Sequence, residues 1–318
     1  MSAPKIIVVG SFNYDLTFTC EEFPLPGQTV LGDFRGGPGG KGSNQAVAAA
    51  RTGVSTGFIG AVGKDRFGGE ARDLLAREGI HAHLYEIEDT PTGTAAVILN
   101  RERENEIIVA AGANARLPED AIPEAFWDSA ACVVCQCETN LNAVAAILRK
   151  ARERNVRTIL NPAPLPRDFD LEILDSCDIL VPNETEFAGL VRRRSTSSTR
   201  HYFDEERIAT LSSNELHHLC REIGPDIVVL TLGARGAVLS TDADFRVVPT
   251  RLGMNVVDTV GAGDAFVGGL ASGLVRFSGD IQQSVSYANT VAALAVTRAG
   301  AAEGMPHSDE IDALWSGR

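Results

Sequence analysis

Between Ala131 and Thr231 the chain alternates short apolar runs with amphipathic ones, and this alternation limits its fold more than any other feature. Ala131–Gln136, Val156–Leu160, Ile179–Val181 and Asp226–Thr231 read as strands. Leu141–Arg154 and Glu184–Val191 read as helices between them. Strands that are apolar along their whole length are buried on both faces, and repeated strand–helix units place them in a parallel sheet covered on both sides. Ile6-Ile-Val-Val9, closed by Gly10, has the same character. Ser55–Val62 adds a strand, and 66–78, 262–276, 281–298 and 309–315 read as helices. The prediction is an α/β core.

Two stretches depart from this rhythm. Tyr14–Thr19 alternates polar and apolar residues, Glu22–Gly27 reads as a turn, and Gln28–Phe34 reads as a second strand. Thr94–Asn100 and Glu106–Ala110 form a predicted hairpin through residues 101–105. Together they predict a small sheet outside the parallel one, inserted at about 13–36 and 92–112 of a single unit spanning 1–318. Arg192–His201 is polar, basic and low in complexity, and reads as a surface loop.

Charge narrows the partners. The 318 residues carry 42 acidic against 29 basic side chains, a net charge of −13, with no long basic run. Nucleic acid and anionic membranes are therefore not expected partners. The apolar run before Gly10 is too short for a secretory signal, and no segment nears the roughly 18 apolar residues of a membrane helix, so a cytoplasmic location is expected. Cys132, Cys135 and Cys137 lie on a strand-like run with no second C-x-x-C or His pair, and read as buried thiols rather than metal ligands.

An acidic protein that binds an anion must do so with local devices. Asp258-Thr-Val-Gly-Ala-Gly-Asp264 supplies one. Asn255–Asp258 reads as the end of a strand, and Gly261–Asp264 as the first turn of a buried helix. The first N–H groups of a helix are unpaired and carry partial positive charge. Glycines at 261 and 263 let an anion approach them. A carboxylate at 264 beside an anion would repel it unless it takes a proton from an attacking hydroxyl. The same residues also fit a tight turn with an acidic helix cap.

Other candidates follow strand ends. The run Arg35–Asn44 fails as a P-loop, having Arg35 and Gly42 where Gly and Ser or Thr are required. Gly10-Ser-Phe-Asn-Tyr-Asp15 is likewise not G-x-G-x-x-G. What remains is a glycine-rich turn that brings Lys41 and Asn44 to a helix start, donors and acceptors suited to sugar hydroxyls. Asn13 and Asp15 share one face of an extended segment, where Asp15 can hold a vicinal diol or close an Asx turn. Glu138, Asn183 and Glu186 follow strands at the edge where α/β sheets bind ligands. Asn183 and Glu186 suit either a helix capping box or a Mg²⁺ ion met through water. Thr231–Gly236 is a glycine turn able to admit a nucleotide or to close a hairpin.

In this order, Gly10–Asp15, Pro26-Gly27, Gly39–Ala46, Gly112–Asn114, Asn161–Ala163, Pro182–Glu186, Thr231–Gly236, Asp258–Asp264 and Ala295–Gly300 resemble the ribokinase branch of the PfkB carbohydrate-kinase family. The likeness runs to about Met305. It implies a Rossmann-like, three-layer α/β/α domain of ribokinase type with a small β-sheet lid, shared in a homodimer. It implies transfer of the ATP γ-phosphate to the 5-hydroxyl of ribose. Asp264 would be the base, with Gly261, Ala262 and Gly263 as the anion hole. Asn13, Asp15, Gly39, Gly40, Lys41, Asn44 and Glu138 would hold the sugar. Asn183, Glu186, Thr231, Gly233, Gly236, Gly263 and Asn289 would line the nucleotide and Mg²⁺ side. A monovalent cation, K⁺ in the family, would meet Asp258, Val260, Ala295, Arg298 and Gly300. One departure stands out: Gly304 occupies the position of a family serine ligand. Other acceptors of the same family (a nucleoside, deoxyribose or another sugar) and a non-catalytic sugar sensor are the rival readings. The intact Asp264 motif counts against the sensor.

Overall fold

The computed structural model describes residues 3–102, 104–194, 203–251 and 253–316. Strand β1 (Ile6–Val9) is buried throughout. The chain then leaves it for an antiparallel pair, β2 (Asn13–Cys20) and β3 (Gly32–Gly39). Helix α1 (Lys41–Arg51) begins one residue later. It is followed by β4 (Thr56–Gly63), α2 (Arg66–Arg77, with Asp65 accepting from the Gly68 amide) and β5 (His81–Ile87). β6 (Gly93–Leu99) and β7 (Asn105–Ala110) form the expected hairpin. Strand–helix alternation then supplies α3 (Glu124–Trp127), β8 (Cys132–Cys135), α4 (Leu141–Glu153), β9 (Arg157–Leu160), β10 (Ile179–Leu180), α5 (Glu184–Arg194), α6 (Glu205–Thr210), α7 (Ser213–Ile223) and β11 (Ile227–Thr231). β12 (Ala237–Thr241) and β13 (Phe245–Val248) double back, and α8 (Ala262–Arg276), α9 (Ile281–Ala295) and α10 (Ser308–Ser316) end the chain.

The large sheet has nine strands in the order β13-β12-β11-β10-β9-β8-β1-β4-β5. From β11 to β5 all neighbours are parallel, and β12 and β13 add an antiparallel edge. Two apolar clusters cover its faces. One gathers Ala46, Phe58, Phe266 and Tyr287 beneath α1, α8 and α9; the other gathers Val133, Ile147, Leu160 and Phe187 beneath α4 and α5. The result is the three-layer α/β/α core. Strand order reverses between β1 and β8, and the crevice at their carboxyl ends is where such sheets bind ligands. The four-stranded sheet, β3-β2-β6-β7, stands over that crevice.

Four expectations need correction. The second strand of the small sheet is 32–39, not 28–34, so Gly36–Gly39 lies in a strand rather than a turn. Glycine and proline are poor strand formers, but β3 is an edge strand, the place in a sheet where proline is tolerated. Asn255–Asp258 forms no strand. Val256 and Val257 are 60% and 41% exposed, and the segment is tied down by the Val257 and Asp258 amides, which donate to the Val296 carbonyl. β5 was not foreseen, because its positions are half-exposed or exposed and do not make an apolar run. Arg192–Arg194 form the last turn of α5, and the rest of the expected 192–201 loop lies outside the described residues.

All six cysteines are buried and free. Burial pushes the thiols of Cys132 and Cys220 up to about 12 and raises those of Cys135, Cys137 and Cys177 further, so they are inert core residues. No helix among the described residues is long and apolar enough to cross a membrane.

Candidate active site

The site is assembled where α1 and α8 press together. A methyl group at Gly268 would come within 2.6 Å of both the Ala48 Cβ and the Gln45 carbonyl, so only glycine permits this approach. The contact brings the first turn of α1 onto the first turn of α8. Asn44 Nδ2 donates to Asp264 Oδ2 at 3.0 Å, and Gln45 Nε2 donates to Asp264 Oδ1 at 3.0 Å. Gly261 caps α8 with φ of 79°, a left-handed conformation that suits glycine. No Cβ built at Gly263 would meet an atom within 4 Å, so the space over this helix start is open. Among the described residues the amides of Gly261 and Gly263 have no protein partner, whereas the Ala262 amide donates to the Thr259 carbonyl at 3.2 Å. Of the three expected anion-hole donors, Ala262 is therefore already engaged.

Asp264 lies at the meeting of two cavities. The first, of about 330 Å³, lies under the small sheet and is lined by Asn13, Asp15, Gly40, Lys41, Asn44, Glu138 and Asp264. The second, of about 250 Å³, is lined by Lys41, Asn161, Asn183, Glu186, Thr231, Gly261, Gly263 and Asp264. A third, of about 430 Å³, continues from Thr231 and Gly263 past Gly233 and Gly236 to Asn289.

Asn13 and Glu138 in the first cavity are braced. Asn13 accepts from Asn114 Nδ2 at 2.9 Å, and Asn114 also bonds both the amide and the carbonyl of Phe12. Glu138 Oε2 accepts from Ser11 Oγ at 2.6 Å and from the Lys41 amide at 3.0 Å, which caps α1. The buried Asn44 Oδ1 has no partner among the described residues. Asn44 lines this cavity, and an unpaired buried acceptor is a place for a ligand hydroxyl. Gly39, at the end of β3, makes room for Asp15.

The carboxyls of Asp15, Glu138, Glu186 and Asp264 and the Lys41 ammonium lie around these first two cavities. Burial, followed by the charges of Glu138 and Asp264, pushes Asp15 up to about 7. Burial also raises Asp264, against the opposing charge of Lys41 and the hydrogen bonds from Gln45 and Asn44. Burial raises Glu186 as well. The Asp264 charge raises Lys41, so its ammonium is retained.

On the other side, Asn183 and Glu186 form a reciprocal cap: the Asn183 amide donates to Glu186 Oε2 at 2.9 Å and the Glu186 amide donates to Asn183 Oδ1 at 2.8 Å. Both residues nevertheless line the second cavity, so the cap and the ligand reading describe the same pair. Among the described residues no three His, Cys, Asp or Glu side chains form a metal cage. The Glu186 carboxylate on the wall of the second cavity fits a Mg²⁺ ion that arrives on a nucleotide and keeps its waters. Asn289 Nδ2 donates to the carbonyls of Val248 and Pro249, which places it on the wall of the third cavity.

The residues expected around a monovalent cation only partly converge. Asp258 Oδ1 accepts from the Val260 amide and Oδ2 from the Gly300 amide, both at 3.0 Å. This fastens the loop before α8 to the loop after α9. The Arg298 guanidinium pairs with Glu310, which leaves its main-chain carbonyl as the available donor. Ala295 ends α9, and its carbonyl accepts the Arg298 amide at 3.3 Å. A carboxylate with main-chain carbonyls is a hard-oxygen donor set that fits an alkali cation. Gly304 has no room for a side chain: a Cβ there would lie 2.4 Å from the Gly300 carbonyl.

Several residues escaped sequence reasoning. Gln45, Gln136 and Asn161 form a buried amide chain behind Asp264. Asn114 locks the β1–β2 turn. Arg251 lines the third cavity, and its buried Nη2 has no partner among the described residues. Gln45, Asn114 and Asn161 lie inside short motifs already noted, but nothing local marks their partners.

Comparison with known proteins bears on this geometry. Residues 3–308 match the pfkB family carbohydrate kinase model. A ribokinase of Haemophilus influenzae is 33% identical over 309 residues, 96% of each chain. A deoxyribokinase of Salmonella typhi is 32% identical over 316 residues, 98% of each chain. Among solved structures, a ribokinase from Giardia lamblia superposes with a TM-score of 0.87 at 30% identity, covering 99% of both chains. A ribokinase of Arabidopsis thaliana complexed with ribose and ATP gives 0.84 at 28% identity, also covering 99% of both.

Proposed function

This chain belongs to the pfkB family of carbohydrate kinases and is an ATP-dependent sugar kinase; we propose that its acceptor is D-ribose, phosphorylated on the 5-hydroxyl. The observation that carries the proposal is Asp264, whose carboxylate is shared by the cavity with polyol-binding groups and the cavity that leads to the glycine turn at 233–236. Asn13, Asp15, Lys41, Asn44 and Glu138 orient the sugar. Asp264 accepts the proton of the attacking hydroxyl as the new O–P bond forms and the bond to the β-phosphate oxygen breaks, releasing ADP. The amides of Gly261 and Gly263 and the Lys41 ammonium face the negative charge that spreads over the transferred group. Mg²⁺, met through water by Glu186, would neutralise phosphate charge. A K⁺ ion, met by Asp258 and the carbonyls of Val260, Ala295, Arg298 and Gly300, would add positive charge beside the helix start.

A second copy of the chain is the proposed cover for the small sheet. Phe18, Phe34 and Ile108 are 44%, 59% and 70% exposed and share one of its faces, an apolar surface that favours burial in a dimer.

Deoxyribose is the closest rival acceptor, because the deoxyribokinase is nearly as similar to this chain as the ribokinase. A coupled ADP-release assay over ribose, 2-deoxyribose, hexoses and nucleosides, with and without K⁺, decides the matter. Ribose should give the highest kcat/KM. Turnover of deoxyribose or a nucleoside with ribose inert would overturn the assignment.

A further inference from the structure

A catalytic carboxylate must present one oxygen to the acceptor hydroxyl, and Asp264 sits on a helix start that leaves its side chain free to turn. Gln45, donating to Oδ1, and Asn44, donating to Oδ2, remove that freedom. Gln45 is fully buried, and every polar atom of its amide is used. Nε2 donates to Asp264 Oδ1 at 3.0 Å and to Asn161 Oδ1 at 3.1 Å, and Oε1 accepts from Gln136 Nε2 at 2.7 Å. The chain of amides has one direction. Asn161 Nδ2 donates to the Val181 carbonyl at 2.8 Å, which fixes Asn161 Oδ1 as an acceptor toward Gln45. Turning the Gln45 amide over would set its oxygen against two other oxygens and its NH₂ against the Gln136 NH₂. Its donors must therefore face the carboxylate.

We propose that Gln45, held by Gln136 and Asn161, is the positioning residue for Asp264: its hydrogen bond to Oδ1 fixes how the carboxylate is presented to the acceptor hydroxyl. This rests on the reading of Asp264 as the base. Burying three amides beneath a ligand cavity serves no packing need that apolar side chains would not meet, and half-satisfied networks are unfavourable. Here Gln136 donates to Gln45 and Gln45 to the one carboxylate between the two cavities, while Asn161 ties Gln45 to the Val181 carbonyl; the outer end of the chain, Gln136 Oε1, has no partner among the described residues. Gln45 itself lines none of the three cavities, so it acts on the base rather than on sugar or nucleotide. The carboxylate is also faced by Lys41 from α1, Glu138 after β8, Asp15 from β2 and Glu186 from α5. Of these only Lys41 favours its charged form, so neutral donors from Gln45 and Asn44 matter.

The test is the pH profile of kcat at saturating sugar and MgATP for wild type, Gln45→Met, Gln136→Met and Asp264→Asn. Gln45→Met should lower kcat by roughly 10- to 100-fold and move the acid limb up by about one pH unit, as expected for loss of a hydrogen bond to a buried charge. KM for the sugar should stay within about twofold. Gln136→Met, which leaves the Gln45 contact to Asp264 intact but frees its other end, should move both in the same direction by less. If Gln45→Met does not fold, the limb of Gln136→Met decides. An unmoved limb and kcat in the folded variants, with Asp264→Asn inactive, overturns the positioning role alone. An active Asp264→Asn overturns the base assignment on which it stands.

Discussion

The carboxylate of Asp15 on β2 occupies the space that a side chain at Gly39 on β3 would need: a Cβ at 39 would lie 2.2 Å from Asp15 Oδ2. The two strands pair antiparallel, with Asn13 opposite Gly39 and Asp15 opposite Gly37, so Asp15 leans diagonally across the missing side chain. Gly39→Ala should therefore push the Asp15 carboxylate out of its place while leaving the core intact. The expected outcome is a rise in the sugar KM of about tenfold or more, equal to roughly 1.4 kcal/mol, with KM for ATP unchanged. Equal KM values in steady-state assays of the two proteins would remove this role for Gly39.

Asp264→Asn keeps the side-chain volume and one acceptor oxygen but cannot take a proton. Asn44 Nδ2 and Gln45 Nε2 both donate to the native carboxylate, so one of them would face the new NH₂. General-base removal lowers turnover by roughly 10²- to 10⁴-fold. Sugar binding, held by Asn13, Asp15, Lys41 and Glu138, should weaken only a few-fold by titration calorimetry. Turnover within a factor of two of wild type would remove Asp264 from the chemistry.

The parallel core was legible because its strands are uninterrupted apolar runs; Ile6–Val9 and Cys132–Cys135 are buried at every position. Asp264 was legible because a carboxylate after two glycines at a helix start has a chemical meaning in the local sequence. Gln45 was not. Its meaning depends on α1 meeting α8, 219 positions away in the Gln45–Asp264 pair, and only packing at Gly268 brings them together. β3 was misplaced because propensity disfavours glycine and proline in strands, whereas an edge strand that must leave room for a ligand and for Asp15 tolerates them. Asn255–Asp258 misled in the opposite direction: paired valines suggest a strand, but among the described residues no strand pairs with them.

Arg251 lies on the wall of the third cavity with Thr231, Gly233, Gly236 and Asn289, the residues expected around the nucleotide. Its buried Nη2 has no acceptor among the described residues. A buried guanidinium donor left unpaired is unfavourable, so a bound nucleotide offering an acceptor oxygen or ring nitrogen would satisfy it. Arg251→Met is expected to raise KM for ATP by about tenfold, at roughly 1.5 kcal/mol for a hydrogen bond to a charged group, while the sugar KM stays as it was. Fluorescence titration with ADP should show the same loss. An unchanged ADP affinity would leave Arg251 a wall residue only.

Asp15 makes both stability and substrate binding depend on pH. Its carboxyl is raised from 3.8 to about 7 in the folded protein, chiefly by burial and then by Glu138 and Asp264. Between these two values the folded state holds a proton that the unfolded state has lost. Stability contributed by this group therefore falls as pH rises through that window and levels off above about 7. Asp15→Asn removes the effect. In the absence of sugar the variant should be more stable than wild type at neutral pH, and its advantage should grow by about 1 kcal/mol between pH 6 and pH 8, read as the difference in thermal unfolding curves. Sugar hydroxyls donate best to the ionised carboxylate. The wild-type sugar KM should accordingly rise as pH falls below about 7, and that rise should be absent from Asp15→Asn, whose KM is high throughout. A stability advantage that is flat from pH 6 to pH 8, together with a pH-independent wild-type KM, would show that Asp15 is already ionised across this range.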